Sequence, residues 1–124
     1  MTKTLDINLT DALISLEIWC EKIDRISANF DFKDFLSNEI LQLALSMAVS
    51  QTGEISGRIL RKWPEFAANN PSLQLSGAHA MRHRIFHVYE QLDTAILWDT
   101  VKNSVPEMRI AIVSILRESG EVES

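Results

Sequence analysis

One cysteine, Cys20, is the whole thiol content of this 124-residue chain, so no disulfide can form within it and a reducing compartment is the default expectation. Glycine and proline are scarce, at four and three residues, and nowhere gather into a linker. There is no internal repeat either, so a single domain with a real hydrophobic core is expected at this length. The longest apolar stretch, Ile40 to Val49, is broken by Gln42 and Ser46 and falls well short of the roughly 20 residues that cross a bilayer. The amino terminus, Met-Thr-Lys-Thr-Leu-Asp-Ile-Asn, lacks the apolar centre of a signal peptide, so the cytoplasm is the expected location, with no membrane partner. No segment sustains a two-residue alternation, which argues against a sheet protein.

Positive charge is also in short supply. The formal net charge is −5, which on its own argues against a polyanionic partner. Its distribution softens that exclusion. Between residues 58 and 89, Arg58, Arg61, Lys62, Arg82 and Arg84 stand against Glu65 alone, while the flanking regions are acidic. A basic region on an acidic body can engage phosphates at short range, though an ordinary solvated helix face has the same composition.

Hydrophobic residues make up 46% of the chain, as in a soluble globular protein, and they recur with helical spacing. Leu13, Leu16, Cys20 and Ile23 predict a first helix after Thr10, a plausible cap. Phe30, Phe32, Phe35 and Leu36 read as a short apolar connector. Ser37 is positioned to cap a long helix from Asn38 to about Lys62, which Pro64 would stop. Gly53 and Gly57 lie inside that helix at a cost in propensity, so they predict close approach of another helix. A loop at Asn69-Asn-Pro-Ser72 leads to a helix from about Leu75 to Tyr89, and Asp93 can cap another through Lys102. Ser104-Val-Pro-Glu107 resembles a capping box opening a last helix to about Glu118, before an acidic tail over 119–124. The expected fold is all-α.

All three histidines fall within nine residues of the predicted helix 75–89, at His79, His83 and His87, with Arg82 among them. Groups that titrate near neutral pH beside a permanent cation suit phosphodiester chemistry. At about 100° per residue the histidines form a drifting stripe, Arg82 and Tyr89 share a face, and Arg82 and His87 diverge by about 140°. They converge if the helix bends, if the arginine wraps round, or if a second protomer contributes across a two-fold interface. His79, His83 and His87 are also spaced as metal ligands would be, but no Cys, Asp or Glu lies in the cluster to complete a shell. Each residue alone has an ordinary explanation: a packed histidine, a solvated Arg84, a tyrosine at a core rim.

Taken in order, the run Arg82-His-Arg-Ile-Phe-His87-Val-Tyr89 resembles the Arg-x4-His-x-Tyr motif of the HepT-like proteins. These belong to the HEPN superfamily of helical-bundle ribonucleases, which serve as toxins in prokaryotic toxin–antitoxin pairs. Thr52-Gly53-Glu54 looks like the family's Gly-Glu, Leu92-Asp93 like its Val-Asp, and Leu97-Trp98 and Val105-Pro106 like its later Trp and Leu-Pro. The resemblance covers about residues 9–116. His83 stands where most members have Asn, and Gln74-Leu75 where Pro-Trp is common. It implies one HEPN-like domain over 1–124, with its core at about 9–118, as a homodimeric bundle of four to five helices.

The activity implied is endonucleolytic cleavage of RNA, a tRNA or an mRNA, without metal or other cofactor. Arg82 and His87 would be catalytic and His83 would assist, while Arg84, Arg58, Arg61 and Lys62 are the candidate RNA-binding cations. The resemblance further implies a nucleotidyltransferase antitoxin that transfers AMP to Tyr89. The alternative is a non-catalytic helical dimer acting as the partner or recruiting subunit of such a nucleotidyltransferase.

Overall fold

The computed structural model describes residues 5–87 and 93–120, with Phe86 and His87 as backbone only, and every regular element among these residues is helical. Helix α1 (Ile7–Ser27) begins at Asp6, whose carboxylate accepts from the backbone N–H groups of Asn8 (2.7 Å) and Leu9 (3.3 Å). A carboxylate there satisfies the free amides and meets the positive end of the helix dipole. Thr10, the cap expected from sequence, instead lies inside α1, buried, and its hydroxyl is without a partner among the described residues. The apolar stripe is as expected: Leu9, Leu13, Leu16, Cys20 and Ile23 face the core. Burial pushes the Cys20 thiol up to about 12, with the nearby charges of Asp24 and Glu17 adding to the effect.

The expected connector folds into a short helix, α2 (Phe32–Leu36). Asp31 and Asp34 form a reciprocal capping box, each side chain accepting from the other's backbone N–H at 2.8 and 3.0 Å. Ser37 closes α2, and it is Asn38 that caps the long helix α3 (Glu39–Lys62), accepting from the Leu41 N–H at 3.0 Å. Beyond α3 the expected loop is largely helical too, as α4 (Pro64–Asn69) and a 3-10 turn (Pro71–Leu73). Gln74 then takes a left-handed conformation, φ 55°, unusual for a residue with a side chain, and redirects the chain into α5 (Leu75–His87). The side chain of Gln74 anchors this corner by donating to the Glu107 carboxylate at 2.9 Å.

Asp93 caps α6 (Thr94–Asp99) as expected, accepting from the Ile96 N–H at 3.0 Å. The capping box expected at Ser104 does not form. Ser104 has helical backbone angles and makes no cap, and Glu107 is engaged by Gln74. Instead a wide π turn, Thr100–Ser104, carries the chain from α6 into α7 (Val105–Glu118) without a break. Pro106 accounts for this widening. It has no N–H to donate and its ring clashes with the carbonyl four residues back, so the Val105 N–H reaches to Thr100 O instead.

Helix α3 is the shared wall of the molecule, packing on α1 and on α5, while α1 also packs on α7. Leu13, Leu16, Leu45, Val49, Ile59, Ile112 and Leu116 fill the space between these helices. Arg109 of α7 crosses to α1, with Nε donating to Glu17 at 2.9 Å and Nη1 to Asp24 at 3.4 Å. At the far end Trp98 stacks on Phe35 with centroids 4.9 Å apart. Lys102 lies 4.8 Å from the Trp98 ring centre and donates to the Ser27 carbonyl at 2.8 Å, placing a cation at the negative end of α1. Among the described residues no helix is long and apolar enough to cross a membrane.

Candidate active site

The two glycines of α3 decide how α5 is held. A methyl group on Gly53 would stand 2.6 Å from Arg82 Cβ and 2.7 Å from the Ala78 carbonyl oxygen. One turn on, a methyl on Gly57 would stand 2.5 Å from His79 Nδ1. The close approach expected from sequence is therefore made by α5 itself, and both glycines face it. The first contact is with α5 backbone and a Cβ, which cannot swing aside. Any side chain at position 53 would push the motif helix off the bundle.

This seam fixes where Arg82 goes. Its Cβ lies over Gly53, and its guanidinium meets the next residue of α3, with Nε 3.3 Å from Glu54 Oε2. The two side chains are 45% and 52% exposed, so their pairing contributes less than about 1 kcal/mol to stability. Its larger consequence is orientation. With Nε nearest Glu54, the Nη1–Nη2 edge has no carboxylate partner among the described residues and can take a second anion through two parallel N–H donors. Sequence reasoning noted Glu54 as part of a Gly-Glu pair but gave it no role. The available signal was that a glycine admitting a neighbouring helix is followed at once by a carboxylate.

The other site candidates are distributed unevenly. His79 lies over Gly57, and Arg61 Nη1 lies 3.3 Å from the same point, so these two come together. His83 is exposed beside Arg82 on α5. Arg84 faces elsewhere: with Met81 and Ala80 it lines a cavity of about 630 Å³ on the opposite side of α5, closed by Ile96, Thr100 and Met108 of α6, the π turn and α7. Arg58 is exposed on α3, and Lys62 is exposed at its end, 5.9 Å from the Trp63 ring centre. The side chain of His87, and Tyr89 altogether, lie outside the described residues. Among the described residues no group of three His, Cys, Asp or Glu is placed to hold a metal ion.

The described part of α5 carries no carboxylate, and His79, Arg82, His83 and Arg84 are all exposed on it. Such a surface is suited to a polyanion. The family model described as "Ribonuclease HepT-like" matches residues 16–115. The chain belongs to the HepT-like ribonuclease family. Membership indicates ribonuclease activity, and the matched span runs from the middle of α1 almost to the end of α7.

Relatives agree. A protein of Thermococcus cleftensis named "Probable ribonuclease HepT" is 29% identical over 89 residues, covering 72% of this chain and 78% of its own. A protein of Methanocaldococcus jannaschii whose name describes it as a putative RNase is 23% identical over 103 residues, covering 83% and 86%. Another so described, from Caldanaerobacter subterraneus subsp. tengcongensis, is 23% identical over 99 residues, covering 80% and 86%. No solved structure gives a significant match.

Proposed function

We propose that this HepT-like protein is the toxin of a toxin–antitoxin pair and cuts RNA without a metal ion, at a site formed by Arg82 and His87. The observation that best supports this reading is the seat of Arg82, a guanidinium paired through Nε with Glu54 at the glycine seam and with no carboxylate at its terminal nitrogens among the described residues. In the reaction the ribose 2′-oxygen attacks the adjacent phosphorus, a 2′,3′-cyclic phosphate forms, and the bond to the 5′-oxygen breaks. A base removes the 2′ proton and an acid protonates the departing 5′-oxygen. An imidazole does either near neutral pH, and His87 has that role. Arg82 remains protonated and offsets the charge that builds on the phosphorane oxygens, while His83, next to it, helps orient the phosphate.

Because Arg82 and His87 diverge by about 140° on a regular helix, the reading includes a homodimer in which α5 of each protomer completes the site of the other. Arg58, Arg61, Lys62 and Arg84 are cations available to the rest of the strand. A nucleotidyltransferase antitoxin would add AMP to Tyr89, which continued helical spacing would put on the face of Arg82, and so place a phosphate beside the cation that takes substrate.

The test is cleavage of RNA by the purified protein in the presence of a chelator. The parent protein keeps cutting, whereas His87→Ala and Arg82→Gln each lose more than about 100-fold in rate while remaining folded. A metal-dependent enzyme would stop on chelation, and a pure binding partner of a nucleotidyltransferase would never cut. Undiminished cleavage by His87→Ala would overturn the assignment of His87 as base or acid.

A further inference from the structure

The seam between α3 and α5 has a second station that the reaction at Arg82 does not use. Gly57 leaves a gap in the wall of α3, and the imidazole of His79 occupies it, with Nδ1 at 2.5 Å from where a Cβ would be. Arg61, one turn further along α3, turns its guanidinium to the same place, with Nη1 at 3.3 Å. Two nitrogen-rich side chains are thus held close together. Among the described residues neither has an ion pair or a hydrogen bond to a carboxylate. Arg82, by contrast, has Glu54, and Arg109 has Glu17 and Asp24. Both His79 and Arg61 are exposed, and Arg58 is exposed beside them on α3.

Stability does not explain this arrangement. A glycine within a helix is unfavourable, and drawing a histidine towards an arginine with no anion between them adds nothing to folding. An anion placed between them satisfies both groups. The distance is also informative. From Gly53 to Gly57 the helix rises about 6 Å, on the order of the step between successive phosphates of a single strand.

We propose that His79 and Arg61, brought together over Gly57, form a second phosphate seat that takes the RNA backbone phosphate adjacent to the one at Arg82. The strand then lies along the α3–α5 seam, with one phosphate at each glycine. This inference rests on the ribonuclease reading above for its ligand, and it extends that reading by giving the substrate a direction and two residues that measure its length.

The experiment uses the full chain and a 2′-O-methylated RNA of eight nucleotides, which lacks the attacking hydroxyl and so binds without being cut. Three single variants are compared with the parent for binding across a salt series and for thermal midpoint. Arg61→Gln removes the permanent cation of the seat. Gly57→Ala removes no charge but displaces the imidazole, and it favours the helix, so its midpoint stays the same or rises. Arg117→Gln removes an exposed cation on α7 and controls for net charge.

The expected result is a three- to tenfold loss of affinity in both Arg61→Gln and Gly57→Ala, with the log–log salt slope of Arg61→Gln shallower by about 0.7, and no change in Arg117→Gln. Unchanged affinity in Arg61→Gln and Gly57→Ala overturns the seat, as does an equal loss in Arg117→Gln, which would mean that net charge alone is being read. The ribonuclease reading is judged separately by Arg82→Gln on cleavable RNA. If that variant cut normally while Arg61→Gln still bound more weakly, the seat would stand and the nuclease site would fall.

Discussion

The interface of α1 with α7 and the seam of α3 with α5 are both helix pairs in one small bundle, and they are built on different principles. Between α1 and α7 the contact is made by large buried side chains, Leu13, Leu16, Ile112 and Leu116, and is locked at its edge by Arg109 between two carboxylates. Between α3 and α5 side chains are removed rather than added. Gly53 and Gly57 let the helices approach, Leu75 is the one buried apolar residue of α5 among its described side chains, and the other side of α5 borders a cavity of about 630 Å³. The first interface stabilises the fold. The second brings Arg82, Glu54, His79 and Arg61 to the surface in a fixed order.

If that division is right, damage to the two interfaces should have opposite signatures. Ile112→Ala removes a fully buried side chain from the first, and a loss of about 2–5 kcal/mol in unfolding free energy is expected, with cleavage per folded molecule unchanged. Denaturant unfolding and RNA cleavage on the same sample check this, and a variant that lost activity without losing stability would collapse the distinction.

Arg109→Met should cost less, about 1–2 kcal/mol, because its partners are partly solvated. It also has a pH signature. Burial raises the Asp24 carboxyl above its ordinary value, and Arg109 is the main influence pulling it back down. A carboxyl raised in the folded state binds more protons there than in the unfolded chain. Stability is therefore full below the unfolded value, near pH 4, and is lost as pH rises through the folded one. Removing Arg109 raises the Asp24 carboxyl further and widens that window, so the variant loses stability more steeply with rising pH than the parent does. Melting curves at a series of pH values read this directly.

The smallest effect on folding belongs to Glu54→Gln, under about 1 kcal/mol, since the pair it breaks is half-exposed. Its effect on cleavage should be larger than its effect on stability, and Glu54→Asp should recover part of it. Equal small effects on both would return the pair to the status of an ordinary surface contact.

What the sequence disclosed follows from the range over which each signal acts. Helical spacing is local, and the buried stripe of α1 and the extent of α3 were legible from it. Gly53 and Gly57 announced that a helix would come close but could not name the partner residues, and nothing local showed that Arg84 would border a cavity. The partners depend on the register between separate helices, which is why Glu54 beside Arg82 and Arg61 beside His79 emerged only in three dimensions.

The misread helix ends have a common cause. Thr10, Ser37 and Ser104 all have the right chemistry for a cap, but a cap also needs a residue whose backbone has left the helix. Asp6 and Asn38 supplied that at two ends, and the π turn forced by Pro106 removed the need at the third. Convergence of Arg82 with His87 is a question of the site's last residues, and the cleavage assay above addresses it.

Cys20 gives the molecule a built-in clock. A thiol held at about 12 carries almost no thiolate at neutral pH, and its sulfur is sealed beneath α1, so it ignores alkylating reagents until that helix lifts away. Its rate of labelling therefore reports opening of the α1 core. A second cysteine introduced at an exposed position of α5, such as Ser76→Cys, would react at once and mark the other half of the bundle against that silent background.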